Sequence, residues 1–162
     1  MSAVQTNILG TRQDTWMVGL QVENPHDPGQ FLEFGIWDTR SGGEIDSDER
    51  LYYPGGMLPP YSLGGRPTPN QMTIARNYRI GRDHMGTAGP PGVQTLIDAV
   101  GVSRVIVTVF PMDRFKNQSS RAIVWTGTLK TVNLPEHNSE SASDPGMIEL
   151  TITVDAKPTT FG

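Results

Sequence analysis

The chain has 162 residues, which is enough for one domain with a substantial core and short for two. It contains no cysteine, which excludes disulfide scaffolds, thiolate metal sites and cysteine nucleophiles. The formal net charge is -4, and the 13 basic residues are scattered, which disfavours nucleic-acid binding through phosphate contacts.

Glycine and proline are both frequent, with 18 and 13 residues. They form no repeat but separate segments of alternating hydrophobicity, a pattern typical of an all-β domain with long turns. No apolar run approaches the ~20 residues of a membrane-spanning helix. The first residues lack the basic region and apolar core of a signal peptide, so we expect no export signal.

The N-terminal third predicts an arm followed by strands. Residues 1–14 show no period and predict an N-terminal arm. Residues 15–23 alternate and predict a first strand, and residues 24–29 carry strong turn signals. Residues 30–37 predict a second strand with apolar side chains on both faces, which is typical of a strand covered on two sides.

An acidic segment follows the turn that is predicted at Ser41–Gly43. If residues 44–53 form a strand, Glu44, Asp46 and Asp48 lie on one face. Three like charges on one strand face are unfavourable unless that face meets water. The glycine and final glutamate of a calcium-binding EF-hand loop are absent, so a solvated acidic face is the preferred interpretation.

Residues 54–70 predict a long loop rich in glycine and proline. A loop of this length is uncommon in a compact domain and is usually functional or disordered. It carries four large apolar side chains, which we expect to be buried against a partner such as another chain. These residues are Met57, Leu58, Tyr61 and Leu63.

Residues 71–80 predict a half-buried strand with Met72, Ile74, Tyr78 and Ile80 on its apolar face. Arg76 interrupts that face. Its partner is expected to be an acidic neighbour, and the sequence leaves open whether that neighbour lies in the same subunit or in another one.

The C-terminal half predicts one helix and three strands. Pro90–Pro91 and Gly101 delimit a short helix at 93–100, with an apolar stripe of Leu96, Ile97 and Val100. Strands are predicted at 104–110, 121–131 and 147–154, with a polar loop at 133–146 and an unpatterned tail at 156–162. The predicted fold is a mainly β domain at 15–155: a β-sandwich or barrel of about seven strands with one flanking α-helix and a long inter-strand loop.

No catalytic, cofactor or metal site is predicted. His26, His84 and His137 lie in predicted loops without paired ligand spacing. No nucleophile motif accompanies the Asp83–His84 pair, so a solvated turn is preferred there. A β pattern without site chemistry, together with an apolar loop, favours an assembly subunit over an enzyme.

Four features in a fixed order carry a resemblance to a known family. They are an acidic β segment that reaches residues 52–56 (YYPGG), a Gly-rich loop through 63–66 (LGGR) that enters 72–76 (MTIAR), a helix before 103–109 (SRVIVTV), and a hairpin strand at 123–127 (IVWTG) with a Ser/Asn-rich loop and a closing strand at 147–154. Over roughly residues 15–155, the chain resembles the tail tube proteins of long-tailed bacteriophages, most closely the siphovirus type of actinobacteriophages.

The resemblance implies a structural protein of the virion tail, assembled in the cytoplasm of the host bacterium. Such proteins form hexameric rings that stack into a tube whose lumen conducts the phage genome. The implied partners are further copies of the chain, the tape measure protein, and the tail terminator and distal tail proteins. DNA would pass without specific binding, and neither a cofactor nor a membrane is involved.

The resemblance also assigns roles to two sets of residues. The acidic face of Glu44, Asp46 and Asp48 is expected to line the lumen. The loop that contacts the adjacent ring maps onto residues 54–70, with Met57, Leu58, Tyr61, Leu63 and Arg66 as the contact residues. This loop has more prolines than the family pattern leads us to expect, which would stiffen it.

Two alternatives remain open from the sequence. One is a monomeric β-barrel that binds a small ligand in an apolar pocket. The other is the tube subunit of a type VI-like injection system.

Overall fold

The computed structural model describes residues 16–79, 83, 92–112, 121–135 and 146–161. Within these ranges it has twelve strands and one α-helix, α1 (Val93–Ala99), which lies between β8 and β9. The strands are β1 (Trp16–Glu23), β2 (Phe31–Trp37), β3 (Thr39–Gly42), β4 (Ile45–Ser47), β5 (Leu51–Tyr52), β6 (Tyr61–Ser62), β7 (Pro67–Pro69), β8 (Met72–Asn77), β9 (Arg104–Pro111), β10 (Ala122–Asn133), β11 (Met147–Val154) and β12 (Thr159–Phe161).

Eight of the strands form one antiparallel sheet in the order β2–β1–β9–β10–β11–β8–β3, with β12 paired to β10. Alternate side chains along β1, β9 and β11 are buried, as the period-two pattern predicts. Their inner faces build a core that includes Leu20, Val22, Met72, Ile74, Val105, Val107, Leu129, Ile148, Leu150 and Ile152. The predicted mainly β sandwich or barrel is confirmed.

The two ends of this sheet meet, which gives the domain its barrel-like shape. β2 and β3 are the first and last strands of the order, yet only Asp38 separates them in the chain. The backbone N–H of Asp38 donates to the carbonyl of Ala75 in β8. β2 and β3 therefore act as one bent strand that pairs first with β1 and then with β8.

The prediction that β2 is covered on both faces is wrong. Phe31 and Ile36 are exposed, whereas Phe34 and Trp37 are buried. These two buried residues are three apart because β2 contains a bulge: Gly19 pairs with Ile36, but Gln21 pairs with Glu33. Gly35 in the bulge has a φ of 76°, which glycine adopts without steric cost. The extra residue reverses the alternation. Phe34, at an even position, and Trp37, at an odd one, therefore lie on the same buried face.

The helix is present at the predicted place, but its predicted apolar stripe is only partly correct. Leu96 is buried, together with Val93 and Ala99, while Ile97 and Val100 are exposed. Val100 has left the helical conformation, with a ψ of 124°. A helix of seven residues is too short to be stable alone, so its buried row against the core holds it in place.

Three of the remaining strands match their predictions closely: β9, β10 and β11 lie at 104–111, 122–133 and 147–154. Four short strands were not predicted, and two of them, β6 and β7, lie in the predicted loop at 54–70. β3 occupies the region of the predicted turn at Ser41–Gly43, and β12 lies in the predicted unpatterned tail. Several predictions fall outside the described residues: those for the N-terminal arm, Ile80, His84, His137 and most of the loop at 133–146.

The antiparallel order assigns every connection to one of two ends of the barrel. At the first, which we call the helix end, β1, β8 and β10 finish and β2, β9 and β11 begin. α1 lies there because it connects β8 to β9. At the opposite end β3 finishes and β8 begins, and residues 43–71 project from it. We call residues 43–71 the arm and this end the arm end.

Candidate functional site

The arm is one long hairpin and not an open loop. β4 pairs with β7, and further out β5 pairs with β6. Backbone hydrogen bonds from Gly43 to Gln71 and from Asn70 to Glu44 join this ladder to the β3–β8 pair of the barrel. The predicted loop at 54–70 thus contains two strands that return along the arm, and only 53–60 lie between β5 and β6. We call residues 53–63 the arm tip.

The root of the arm is fixed by glycine geometry and by Trp125 of β10. Gly42 and Gly43 have φ values of 80° and 79°, which turn the chain out of the sheet. A Cβ on Gly42 would lie 2.2 Å from the carbonyl oxygen of Gln71. The buried Trp125 donates its indole N–H to the Gly43 carbonyl at 3.3 Å, and the guanidinium of Arg40 lies over the Trp125 ring at 4.8 Å.

The predicted strand at 44–53 is interrupted, and the cause is a bulge in the arm. β4 pairs with β7 and β5 pairs with β6, but three residues (48–50) lie opposite four (63–66). The backbones approach so closely there that a Cβ on Gly65 would lie 1.6 Å from the carbonyl oxygen of Asp48. Gly65 therefore permits the bulge that divides the ribbon into two ladders.

The arm's returning strand carries two prolines that do not weaken its ladder. Asn70 donates its N–H to Glu44, so Thr68, two residues away, also faces β4. Pro67 and Pro69 then face away from β4, where no donor is required. Proline is tolerated in a strand only in such edge positions.

Glu44, Asp46 and Asp48 lie on the outgoing strand of the arm, near its root, and all three are exposed. The Asp46 carboxylate accepts a hydrogen bond from the side-chain amide of Asn70 at 2.6 Å. The predicted exposure to solvent is thus present, but only Asp46 lies within β4, so the continuous strand face predicted for the three residues does not form. The expectation that it lines a lumen stays a prediction.

The arm tip concentrates exposed apolar surface. Tyr53 is 70% exposed, Met57 is 102% exposed, and Leu58, Tyr61 and Leu63 are each more than half exposed. The rings of Tyr52 and Tyr61 are 5.2 Å apart across the ladder. Arg66, the fifth predicted contact residue, is exposed on the same arm. All five predicted contact residues therefore belong to one projecting ribbon.

Arg76 has the acidic partner that the sequence predicts, in the same subunit, and in addition a role that sequence reasoning did not find. Its guanidinium is buried where β8 faces β2, and it donates hydrogen bonds to the carbonyls of Phe34 and Ile36. It also forms an ion pair with the buried Asp83 and lies over the Trp37 ring at 4.3 Å. Arg76 thus closes the seam between the sheet edges with side-chain hydrogen bonds in place of a backbone ladder.

Asp83 is itself held in place by the chain before it. Its backbone N–H donates to the Arg79 carbonyl, and its carboxylate accepts the Arg79 N–H at 2.8 Å. Burial, together with the Asp83 carboxylate, raises the pKa of Tyr78 above its ordinary value of 10.0. The signal in the sequence was a lone arginine on an apolar strand face with an aspartate seven residues later.

In the part of the chain that the structure describes, no group of three His, Asp or Glu residues is arranged to hold a metal ion. No helix among the described residues is long and apolar enough to cross a membrane.

Neither protein-family profiles nor curated protein sequences gave a match. Solved structures did. A chain of the extended sheath–tube complex of an extracellular contractile injection system, PVC, has a TM-score of 0.69 at 11% identity and covers 100% of this chain and 99% of its own. A chain of the tube-terminating cap of the anti-feeding prophage has a TM-score of 0.62 at 11% identity, covering 94% and 91%.

The SPP1 tail tube has a TM-score of 0.56 at 13% identity and covers 94% of this chain and 80% of its own. At these identities the similarity establishes the fold alone. The chain has a tail tube fold.

Proposed function

We propose that the chain is the structural subunit of a tail tube, which forms hexameric rings that stack end to end. The fold supports this proposal, and the observation on which it rests is the exposed apolar surface of the arm. A ribbon with several large apolar side chains in water is a surface that another chain is expected to cover, since large exposed apolar patches mark interaction sites.

The energetic reason is the apolar area of the tip. Burying a large apolar side chain contributes about 1.5–3 kcal/mol. Met57, Leu58, Tyr61 and Leu63 contribute little of this in the isolated subunit because more than half of each is exposed. Contact between copies would recover it, and the ordered hairpin reduces the entropy lost on binding.

The proposed role is structural and needs no catalysis. The barrel interior is filled by fully buried side chains such as Leu20, Leu129 and Ile152. A filled interior of this kind does not favour the alternative of a ligand-binding barrel.

The virion setting is part of the same proposal. In a phage tail of the siphovirus type, the partners would be the tape measure, terminator and distal tail proteins. Glu44, Asp46 and Asp48 would line the lumen. A negative wall repels DNA phosphates within about a Debye length, ~8 Å at physiological salt, whereas a basic wall would bind DNA by counterion release.

A second candidate is the tube of a contractile injection system. The observation in its favour is the coverage: the PVC chain and this chain match over 99% and 100% of their lengths. The two candidates share ring formation and stacking and differ in what the tube delivers.

The test is assembly of the purified chain, followed by light scattering and negative-stain microscopy. We expect six-copy rings and tubes. Deleting residues 57–63 should leave single rings or monomers, as should the double change Met57→Ser and Leu58→Ser. The matched control, Ser47→Ala with Thr68→Ala, changes exposed polar residues of the same arm and should form tubes. A wild-type chain that remains monomeric at every concentration would refute the proposal.

A further inference from the structure

The large apolar side chains that the described residues expose are concentrated at the two ends of the barrel. One group lies on the outer part of the arm: Leu51, Tyr52, Tyr53, Met57, Leu58, Tyr61 and Leu63. A second group lies at the helix end: Phe31, Ile97, Val100, Val102, Leu134 and Met147. We call the second group the helix-end patch.

The strand order brings the helix-end patch together. Phe31 begins β2 and Met147 begins β11, while Leu134 follows the last residue of β10. Ile97, Val100 and Val102 belong to α1 and to the turn that leads into β9. These six residues come from three connections, β1–β2, β8–β9 and β10–β11, that the antiparallel order places at one end.

The turn after α1 is a fixed surface. Gly101 has a φ of 77° and donates its N–H to the Leu129 carbonyl of β10 at 2.8 Å. The N–H of Ser103 donates to Ala99, and that of Leu129 donates to Ser103. Val102 is nevertheless 70% exposed between these anchors. An ordered turn that presents a valine to water is a preformed contact site.

The two apolar groups cannot meet within one copy. The central strands β1 and β9 have eight residues each, which at about 3.3 Å per residue separate the ends by roughly 25 Å. The arm projects further away from the helix end. Two copies stacked in the same direction would bring the arm of one against the helix end of the other, a heterologous contact that repeats without limit.

The size of the arm suits such a contact. Without the acidic root, residues 49–66 are all exposed except Pro54, which leaves 17 exposed residues. Stable interfaces use about 20–30 residues a side, so the outer arm supplies most of one such side. We infer that the arm tip of one copy docks on the helix-end patch of the next copy. This inference rests on the proposed function, because it names the surface that receives the arm.

Cross-linking in assembled tubes tests the docking directly. The chain has no native cysteine, so only the introduced thiols react with the reagent. The variant with both Met57→Cys and Val102→Cys should give a ladder of covalent multimers with a short bis-maleimide reagent. Either change alone should give none. The control pair, Met57→Cys with Ser41→Cys, uses an exposed residue of β3 beside the arm root and should also give no ladder.

A charge at the helix-end patch provides the second readout. Val102→Asp or Ile97→Asp should reduce tube yield at least tenfold and leave rings and the unfolding midpoint unchanged, because both side chains are exposed in the subunit. Val102→Thr keeps the shape of valine and should retain most of the yield. Tubes of the double-cysteine variant that give no ladder, or Asp variants that stack normally, would overturn the docking and leave the tube proposal intact. A wild-type chain that forms neither rings nor tubes would overturn both.

Discussion

At the scale of single residues, Arg76 explains how the barrel closes. A backbone ladder between β2 and β8 is replaced by one guanidinium, which reaches two β2 carbonyls, the Asp83 carboxylate and the Trp37 ring. A buried ion pair is strongly destabilised when only one partner is removed, because the other charge is then left in a low-dielectric site.

Arg76→Met should therefore destabilise the subunit by about 3–5 kcal/mol, measured as the free energy of unfolding in denaturant. The comparison variant is Arg104→Met. Arg104 pairs with Asp155 at 3.1 Å, but both side chains are substantially exposed, 53% and 39%. Removing an exposed pair typically costs less than about 1 kcal/mol. Equal losses in the two variants would contradict the role of Arg76.

The double variant Arg76→Met with Asp83→Leu separates the ion pair from the carbonyl contacts. It should be less destabilised than the sum of the two single changes, because neither charge is left alone. Strict additivity would mean that the pair contributes nothing beyond its separate contacts.

The close approach of the two backbones at Gly65 leads to another prediction at the scale of single residues. Gly65→Ala places a Cβ against the Asp48 carbonyl and should displace the outer ladder of the arm, which reduces assembly. Gly55→Ala is the matched control, since a Cβ there meets nothing within 4 Å. Tube yield, compared by microscopy at equal concentration, should fall only for Gly65→Ala.

At the scale of elements, the sequence predicted correctly those strands whose burial follows their own alternation of apolar and polar residues. β9 and β11 were found because their alternation is uninterrupted and their buried faces follow it. β2 was misread because one bulge residue, Gly35, reverses the alternation, and a bulge depends on the partner strand. The stripe of α1 was misread because the chain leaves the helix at Val100, which removes that residue from the helical face.

The structure of the arm also depends on strand pairing, which the local sequence pattern does not reveal. The sequence predicted a loop because prolines and glycines dominate residues 54–70. The hairpin forms anyway, because Pro67 and Pro69 alternate with the residues that pair and because Gly65 accommodates the bulge. The concentration of large apolar residues on the arm was predictable from composition. The helix-end patch was not, since its six members come from separate connections that only the strand order brings together.

The arm tip should be energetically independent of the barrel. Deletion of residues 57–63 removes no side chain of the core, so the unfolding free energy of the monomer should change by less than about 0.5 kcal/mol. Denaturant unfolding of the deletion variant and the wild type at low concentration checks this. A large loss would mean that the tip supports the fold, and its effect on assembly would then be indirect.

At the scale of the whole molecule, the two ends of the domain differ: the arm projects from one end, and the helix-end patch, which we infer receives the arm of the next copy, lies at the other. A tube built from this domain would inherit that difference between its ends. The acidic residues near the arm root would then be repeated along the assembly at every level.

The charge of that repeated surface can be tested. Replacing Glu44, Asp46 and Asp48 by Lys should make assembled tubes retain DNA, with binding that weakens steeply as salt is raised. Replacing the same residues by Gln should give tubes that retain little DNA, because neutral side chains displace no counterions. The measurement is co-sedimentation of linear DNA with tubes at 50 and 200 mM salt, about the range over which counterion release acts. Lys tubes that bind no DNA would contradict a position in the lumen.

The two prolines of β7 have a consequence for the pool of subunits before assembly. A narrow ribbon with exposed tyrosines and leucines is the kind of segment that stacks into cross-β fibrils when its edges can pair. Pro67 and Pro69 remove the outward-facing donors from one edge of the arm, so ribbons cannot add to each other on that side. In the proposed tube subunit, this would let the chain accumulate with its apolar tip exposed while fewer copies are lost to edge-to-edge pairing of their arms.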